Sequence, residues 1–154
     1  LGLLFFAIVS ETLVTSILKE LPRDESVIDV VRDVVRDHNE DEARHSLFFT
    51  SVLEVIWEQL SIRQKDAIAP LLPEFIAMFL EPDQKVLYRS LCSIGLSAQE
   101  AGQIWEETYP REIISAGIRA SASPTLKRFK RVGVFQTNAA QDAFEKKRLT
   151  LEPE

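Results

Sequence analysis

The stretch that decides the fold is RDHNEDEARHSLFF, residues 36–49, which contains both histidines of this 154-residue chain. Apolar residues recur through it with the period of an α-helix, and the pattern runs from a cap at Asp24 or Ser26 to about Gln59. The rest of the chain contains no convincing strand pattern, no internal repeat and no glycine-rich phosphate loop. We therefore predict an all-α protein that is built around one long helix.

Three potential metal ligands share one face of this helix. His38, Glu42 and His45 stand at positions i, i+4 and i+7, so at about 100° per residue they fall within an arc of about 60°. Buried carboxylate and imidazole groups need a partner, and a transition-metal cation binds convergent oxygen and nitrogen donors. We expect this face to be buried because apolar residues continue it in both directions, namely Val31, Val35, Phe49, Val52 and Ile56.

A further donor is predicted in the N-terminal stretch LGLLFFAIVSETLVTSIL, residues 1–18. A helix that is apolar nearly all round is typical of the centre of a large bundle, and Glu11 is its only ionisable side chain. The same carboxylate at mid-helix disfavours a membrane span, because lipid tolerates an unpaired charge least at that depth. We therefore predict that Glu11 is the fourth metal ligand and that the protein does not cross a membrane.

The spacing of the donors indicates the kind of metal site. Two inward carboxylates with a Glu-x-x-His pair, here Glu42 to His45, form half of the site in di-iron carboxylate bundles. Asp41 lies one step off the ligand face, where it can orient a ligating imidazole, including one on another helix; the alternative is a solvated ion pair with Arg44. A zinc-protease motif is excluded, because it places its histidines at i and i+4.

Composition narrows the class of partner and compartment. The net charge of −6 argues against nucleic acid as the main partner. The lone Cys92 excludes an intramolecular disulfide, is interpreted as a small buried hydrophobic residue, and fits a reducing compartment, so we predict a cytoplasmic protein. The basic stretch LKRFKRVGVF, residues 126–135, is interpreted as a solvated face or as cations paired with acids.

Proline, glycine and capping residues divide the remaining chain into helices. We predict a domain over residues 1–136 and a C-terminal tail over 137–154 whose polar, proline-containing end frays. The predicted helices besides the long one span residues 1 to about 20, 62–80 with a kink or break at Pro70 and Pro73, 83–95, 97–110 with a capping box at Ser97 and Glu100, about 111–120, and 124–131.

Glu11 followed by the motif DEARH at residues 41–45 resembles a known family. It is similar to the Glu...DExRH repeat of the ferritin-like di-iron oxygenases typified by p-aminobenzoate N-oxygenase, the AurF-like enzymes, which carry two such repeats. Their second repeat has an additional histidine four residues before its glutamate, and His38 stands there. The resemblance covers Glu11 to about Phe49. It implies part of a ferritin-like helical bundle with extra C-terminal helices, in which Glu11, His38 and His45 ligate one iron and Glu42 bridges two.

The chain departs from this family in lacking the first repeat, since no third histidine exists to supply it. Four donors cannot fill the coordination spheres of two iron ions. We therefore expect the chain to be the C-terminal part of such an enzyme. The other Glu and Glu-x-x-His would come from an upstream segment, from a second polypeptide or from a symmetry mate in a homodimer.

The resemblance implies a di-iron N-oxygenase that uses O2 as co-substrate to convert a small amine, an arylamine, through the hydroxylamine toward a nitroso or nitro product. Electrons would come from a reductase or small carrier, because nothing in the sequence suggests a flavin or nicotinamide site. Three alternatives stay open: a di-iron C–H hydroxylase or desaturase, a ferritin-like protein that handles iron or peroxide, and a metal-free helical interaction module. The last of these predicts that Glu11 faces water.

Overall fold

The fold is an all-α helical bundle, as predicted. In this computed structural model, residues 1–19 and 21–151 are described, without the side chains of residues 16 and 17. Within those residues there is no strand, and short 3-10 turns lie at Leu21–Arg23, Ala69–Leu71 and Val134–Gln136. The α-helices of this part are α1 Gly2–Leu18, α2 Asp29–Gln59, α3 Ile62–Ile68, α4 Leu72–Leu80, α5 Gln84–Ser93, α6 Ala98–Thr108, α7 Arg111–Val132 and α8 Asn138–Lys146.

The first helix is the centre of the bundle, which agrees with its nearly continuous apolar sequence. It contacts α2, α4 and α7, and its side chains Phe5, Ile8, Val9 and Leu13 are fully buried. Phe5 meets Trp57 of α2 edge to face, with ring centroids 6.0 Å apart. Because three helices surround α1, its burial fixes where each of them lies.

The long helix ends at Gln59 as predicted but begins later than either predicted cap. The carboxylate of Asp24 accepts hydrogen bonds from the backbone N–H of Ser26 at 2.9 Å and from its hydroxyl at 2.6 Å. This local turn engages both residues before the helix starts, since short polar side chains compete with helix geometry. Helix α2 therefore begins at Asp29.

The predicted break at the two prolines is confirmed. Pro70 lies in the 3-10 turn between α3 and α4, and Pro73 lies in the first turn of α4, where its missing N–H costs no helical hydrogen bond. The capping box of α6 is also confirmed, with Ser97 and Glu100 each bonded to the backbone of the other. Helix α5 has no buried residue, and Cys92 on it is only partly buried.

The prediction of two separate helices around Pro124 was wrong. Helix α7 runs without interruption from Arg111 to Val132, with Pro124 inside it. An interior proline costs roughly 3 kcal/mol. Burial of Leu126 and Phe129 beyond it offsets this cost, because each large apolar side chain contributes about 1.5–3 kcal/mol when it leaves water. Tertiary packing therefore outweighs the local propensity to break.

The segment assigned to a tail contributes to the core. Helix α8 buries Ala140 and Phe144, and Leu149 after it is also buried. The ring of Phe144 lies 6.0 Å from that of Phe129 on α7, edge to face. The proline-containing end at 152–154 lies outside the described residues, and the domain boundary after residue 136 stays a prediction.

None of the helices in the described part of the chain is both long enough and apolar enough to span a membrane.

If α8 belongs to the folded body, Phe144→Ala should lower the free energy of unfolding by about 3–5 kcal/mol, because it opens a cavity in the core. Urea denaturation followed by circular dichroism measures the change. Ile113→Ala is the control, since Ile113 is 61% exposed and its loss should cost at most about 0.5 kcal/mol. Equal effects of the two substitutions would contradict the role of α8.

Candidate metal centre

Helices α1 and α2 bring three of the predicted ligands together. Glu11 on α1 and Glu42 and His45 on α2 each offer one ligand atom, and these atoms all lie within 4.8 Å of one another. The Nδ1 atom of His45 is 3.6 Å from Oε2 of Glu11 and 3.5 Å from Oε2 of Glu42. We call these three residues the carboxylate–histidine cluster.

The packing of α1 against α2 positions this cluster. The hydroxyl of Thr15, one turn after Glu11, donates to the backbone carbonyl of Glu42 at 3.3 Å. Glu42 is buried, with 8% of its surface exposed, and the side chain of Glu11 is 31% exposed. Glu11 therefore lies at the rim of the helix contact, with its Oε2 atom buried and part of its side chain exposed, whereas the metal-free alternative predicts that it faces water.

The predicted buried face of α2 is only partly correct. The buried residues of α2 are Glu42, Ser46, Thr50, Leu53 and Trp57, and the side chains of both histidines are more than half exposed. The three apolar neighbours Phe49, Val52 and Ile56 are partly buried, and Val31 is exposed. The prediction placed the stripe too close to the histidines, because α1 and α7 cover only one side of α2.

The fourth predicted ligand stands slightly apart. The Nε2 atom of His38 is 3.5 Å from Oε1 of Glu42, whereas His45 and Glu11 lie near Oε2 of the same carboxylate. The two oxygens of Glu42 thus face different imidazoles. The bridging role of Glu42 and the assignment of His38 to a particular metal ion stay predictions.

The predicted orienting residue Asp41 points away from the cluster in the structure. Its carboxylate accepts a hydrogen bond from the guanidinium of Arg44 at 2.9 Å, and both side chains are well exposed. This is the solvated ion pair that the sequence left open as an alternative, and such a pair contributes at most about 1 kcal/mol. Its orienting role toward an imidazole on another helix stays a prediction.

The cluster has the chemistry of a cation site. The Oε2 atoms of Glu11 and Glu42 are buried and have no hydrogen-bond partner among the described residues. A buried acceptor left unpaired costs about 1–3 kcal/mol, and a charged one costs more. Imidazole and carboxylate atoms about 2.0–2.2 Å from one ion lie roughly 3–4 Å from each other, which matches the two distances to His45. The three residues therefore fit a transition-metal ion.

The raised pKa of Glu11 also supports a cation site. Burial raises the pKa of Glu11 above its usual value, and the neighbouring Glu42 raises it further, while His45 partly opposes the shift. Without a cation, the cluster therefore disfavours the ionised form of Glu11. A metal ion would favour the ionised form, since a ligating carboxylate must be ionised.

The sequence did not identify a layer of polar residues beside the cluster. Thr12, Ser46 and Thr125 are almost completely buried; Thr12 and Ser46 accept hydrogen bonds from Arg128, and the hydroxyl of Thr125 donates to Thr12. The sequence contained a hint of this layer at Thr12 and Ser46, because each is a polar residue on a helix face that packs into the core. It contained none at Arg128, since that residue is one of four cations in a stretch that reads as a solvated face.

Comparison with known proteins identifies the family. A carboxylate–histidine cluster between two bundle helices defines a class of candidate metal-dependent proteins. The sequence profile of the family described as p-aminobenzoate N-oxygenase AurF matches residues 1–133, and the chain belongs to this oxygenase family. The match confirms the resemblance seen at residues 11–49 and extends it through α7. No curated protein and no solved structure matches the chain significantly.

The raised pKa of Glu11 predicts how the stability of the metal-free chain varies with pH. The contribution of Glu11 to the free energy of unfolding is fully present below the ordinary carboxyl pKa of 4.5. It is lost as the pH rises through the raised pKa, because the fold disfavours the ionised form. Glu11→Gln should remove this loss, so the variant should match the wild type at low pH and exceed it at pH 7.

Urea denaturation in the presence of a chelator, repeated across this pH range, measures the difference. Glu40→Gln is the matched control, because Glu40 is exposed on α2 and should not change the pH dependence. Parallel curves for Glu11→Gln and the wild type would contradict the electrostatic description of the cluster.

Proposed function

We propose that this chain provides half of the di-iron centre of an N-oxygenase that acts on arylamines. The observation that carries the proposal is the meeting of Glu11, Glu42 and His45 at two buried, unpaired carboxylate oxygens. Membership of the p-aminobenzoate N-oxygenase family supports the reaction class, and the ligand types support iron.

In this proposal Glu11, His38 and His45 would hold one iron and Glu42 would be shared by two. When bound and reduced, the metals would supply the electrons needed to activate O2, the co-substrate. In the structure Glu42 lies between the two imidazoles, with one oxygen 3.5 Å from His38 and the other 3.5 Å from His45, so it is the side chain that joins His38 to the carboxylate–histidine cluster. The hydroxyl of Thr15 donates to the backbone carbonyl of Glu42 and so links α1 to α2 one turn after Glu11.

The ligand set requires a second group of residues. Two iron ions need more donors than this chain carries, and the two helices that bear the cluster also carry exposed apolar side chains. We define the open face of α1 and α2 by Leu3, Val31, Val34 and Phe48. We propose that helices bearing the other Glu and Glu-x-x-His cover this face, from an upstream segment or a second polypeptide. The alternative source is a second copy of this chain in a homodimer.

The remaining components are proposals on the same footing. The substrate is a small amine that is oxidised at nitrogen toward a hydroxylamine, nitroso or nitro product. The electrons come from a reductase or small carrier protein, and the compartment is the cytoplasm. Oxidation of C–H bonds and handling of iron or peroxide without an organic substrate are the outcomes that the test below separates from this function.

The intact protein should contain two iron ions per site and oxidise an arylamine such as p-aminobenzoate when a chemical reductant and O2 are supplied. Glu42→Ala and His45→Ala should each lower the iron content to less than about half and reduce amine oxidation by at least about a hundredfold, since they remove ligands. Elemental analysis and product detection by mass spectrometry measure both quantities.

Glu40→Ala is the matched control on the same helix and should leave both quantities unchanged, because Glu40 is exposed. A pure, intact protein without iron would overturn the proposal. Iron with hydroxylation of carbon would replace the N-oxygenase by a C–H oxygenase, and iron oxidation without any organic product would indicate an iron-handling protein.

The proposal that other helices cover the open face of α1 and α2 gives a separate prediction. Val34 is 64% exposed and lies one turn before His38, so Val34→Asp should leave this chain folded. In the intact protein the new charge would be buried, at a cost of about 3–5 kcal/mol, and iron content should fall. Met78→Asp, at a 71% exposed position on α4, is the control and should retain iron. Full iron content in Val34→Asp would show that this face is not covered.

A further inference from the structure

The polar layer lies at the same level of the bundle as the carboxylate–histidine cluster. Thr12 on α1, Ser46 on α2 and Thr125 on α7 are each at most 2% exposed. Thr12 directly follows Glu11 in the sequence, and Ser46 directly follows His45. A change in the position of either residue therefore also shifts the backbone of the adjacent candidate ligand.

Arg128 joins the three helices at this level. Its Nη1 donates to the backbone carbonyl of Thr12 at 3.4 Å, and its Nη2 donates to the hydroxyl of Ser46 at 3.2 Å. The hydroxyl of Thr125, almost one turn earlier on α7, lies 3.2 Å from both oxygens of Thr12 and donates to that residue as well. Helix α7 thus holds α1 and α2 at a fixed separation from one side.

Arg128 carries its charge on a partly buried side chain. Burial lowers the pKa of this guanidinium, and neighbouring Arg131 lowers it further, but arginine stays charged in proteins at neutral pH. The guanidinium forms no ion pair with any carboxylate in the described part of the chain, so its desolvation is not offset by a direct partner.

We propose that Arg128 is a positioning residue of the metal centre: by holding Thr12 and Ser46, it sets the separation of Glu11 from Glu42 and His45. This inference rests on the proposed function, since it requires that the cluster binds metal. Arg128 donates to neighbours of the ligands and to none of the ligands themselves. Groups that orient metal ligands from behind typically change metal affinity by about 10–100-fold when they are removed.

The test measures the affinity of the intact protein for Co(II), a spectroscopic probe for iron sites, by titration of its visible absorption. Arg128→Met keeps a long side chain but removes both hydrogen bonds, so the affinity should fall at least about tenfold and the absorption spectrum should change. Arg128→Lys keeps the charge and one donor and should recover part of the affinity. A role confined to stability would lower the melting temperature and leave the spectrum of the bound metal unchanged.

Two further variants make the test specific. Ser46→Ala removes only the acceptor on α2, so it should weaken Co(II) binding in the same direction, and adding it to Arg128→Met should have little further effect. Arg131→Met is the matched control, because Arg131 lies on the exposed side of α7 and pairs with Glu54. Its Co(II) affinity should equal that of the wild type.

The outcomes separate this inference from the proposed function. A wild-type protein that binds no Co(II) at the cluster overturns both. A wild-type protein that binds Co(II), with unchanged affinity and spectrum in Arg128→Met, overturns the positioning role alone. If Arg128→Met does not fold, Ser46→Ala decides the question, since a small buried Ser→Ala change is compatible with the fold and unchanged affinity would overturn the inference.

Discussion

The contact between α1 and α2 at Glu11, Glu42 and His45 is the constraint on which the rest of the site depends. Two carboxylate oxygens are buried there without a hydrogen bond, next to an imidazole at 3.5 and 3.6 Å. Those distances are too long for hydrogen bonds, so the imidazole of His45 does not satisfy these atoms. A cation bound here would pair with both carboxylates, remove the cost of burying them unpaired and link α1 to α2.

The surrounding structure is organised to keep this contact in place. Helix α1 is enclosed by α2, α4 and α7, so its position along the bundle is fixed by apolar packing on three sides. Thr15 then bonds to the backbone of Glu42, and Arg128 and Thr125 bond to Thr12. These polar contacts are few and specific, whereas the apolar contacts supply most of the burial. The core therefore stabilises the fold, and the polar contacts set the geometry of the cluster.

The asymmetry of α2 relates the fold to the proposed activity. One side of the helix packs against α1 and α7, and the other carries His38, His45 and exposed apolar residues such as Val34. A ligand face with this composition is suited to the interior of a larger bundle, where a second set of donors completes the coordination. The membership of an oxygenase family agrees with such a site.

The sequence by itself determined the all-α class, the ends of most helices and the residues of the cluster, because helical periodicity, prolines and capping boxes act over a few residues. It also placed Glu11 with the Glu-x-x-His pair, since a lone carboxylate in an apolar helix has few other roles. Only the tertiary structure decided the exposure of the histidines, the continuity of α7 through Pro124 and the contacts of Arg128 with Thr12 and Ser46. Each of these depends on which neighbouring helices cover a given face, and that is set by packing between residues far apart in the chain.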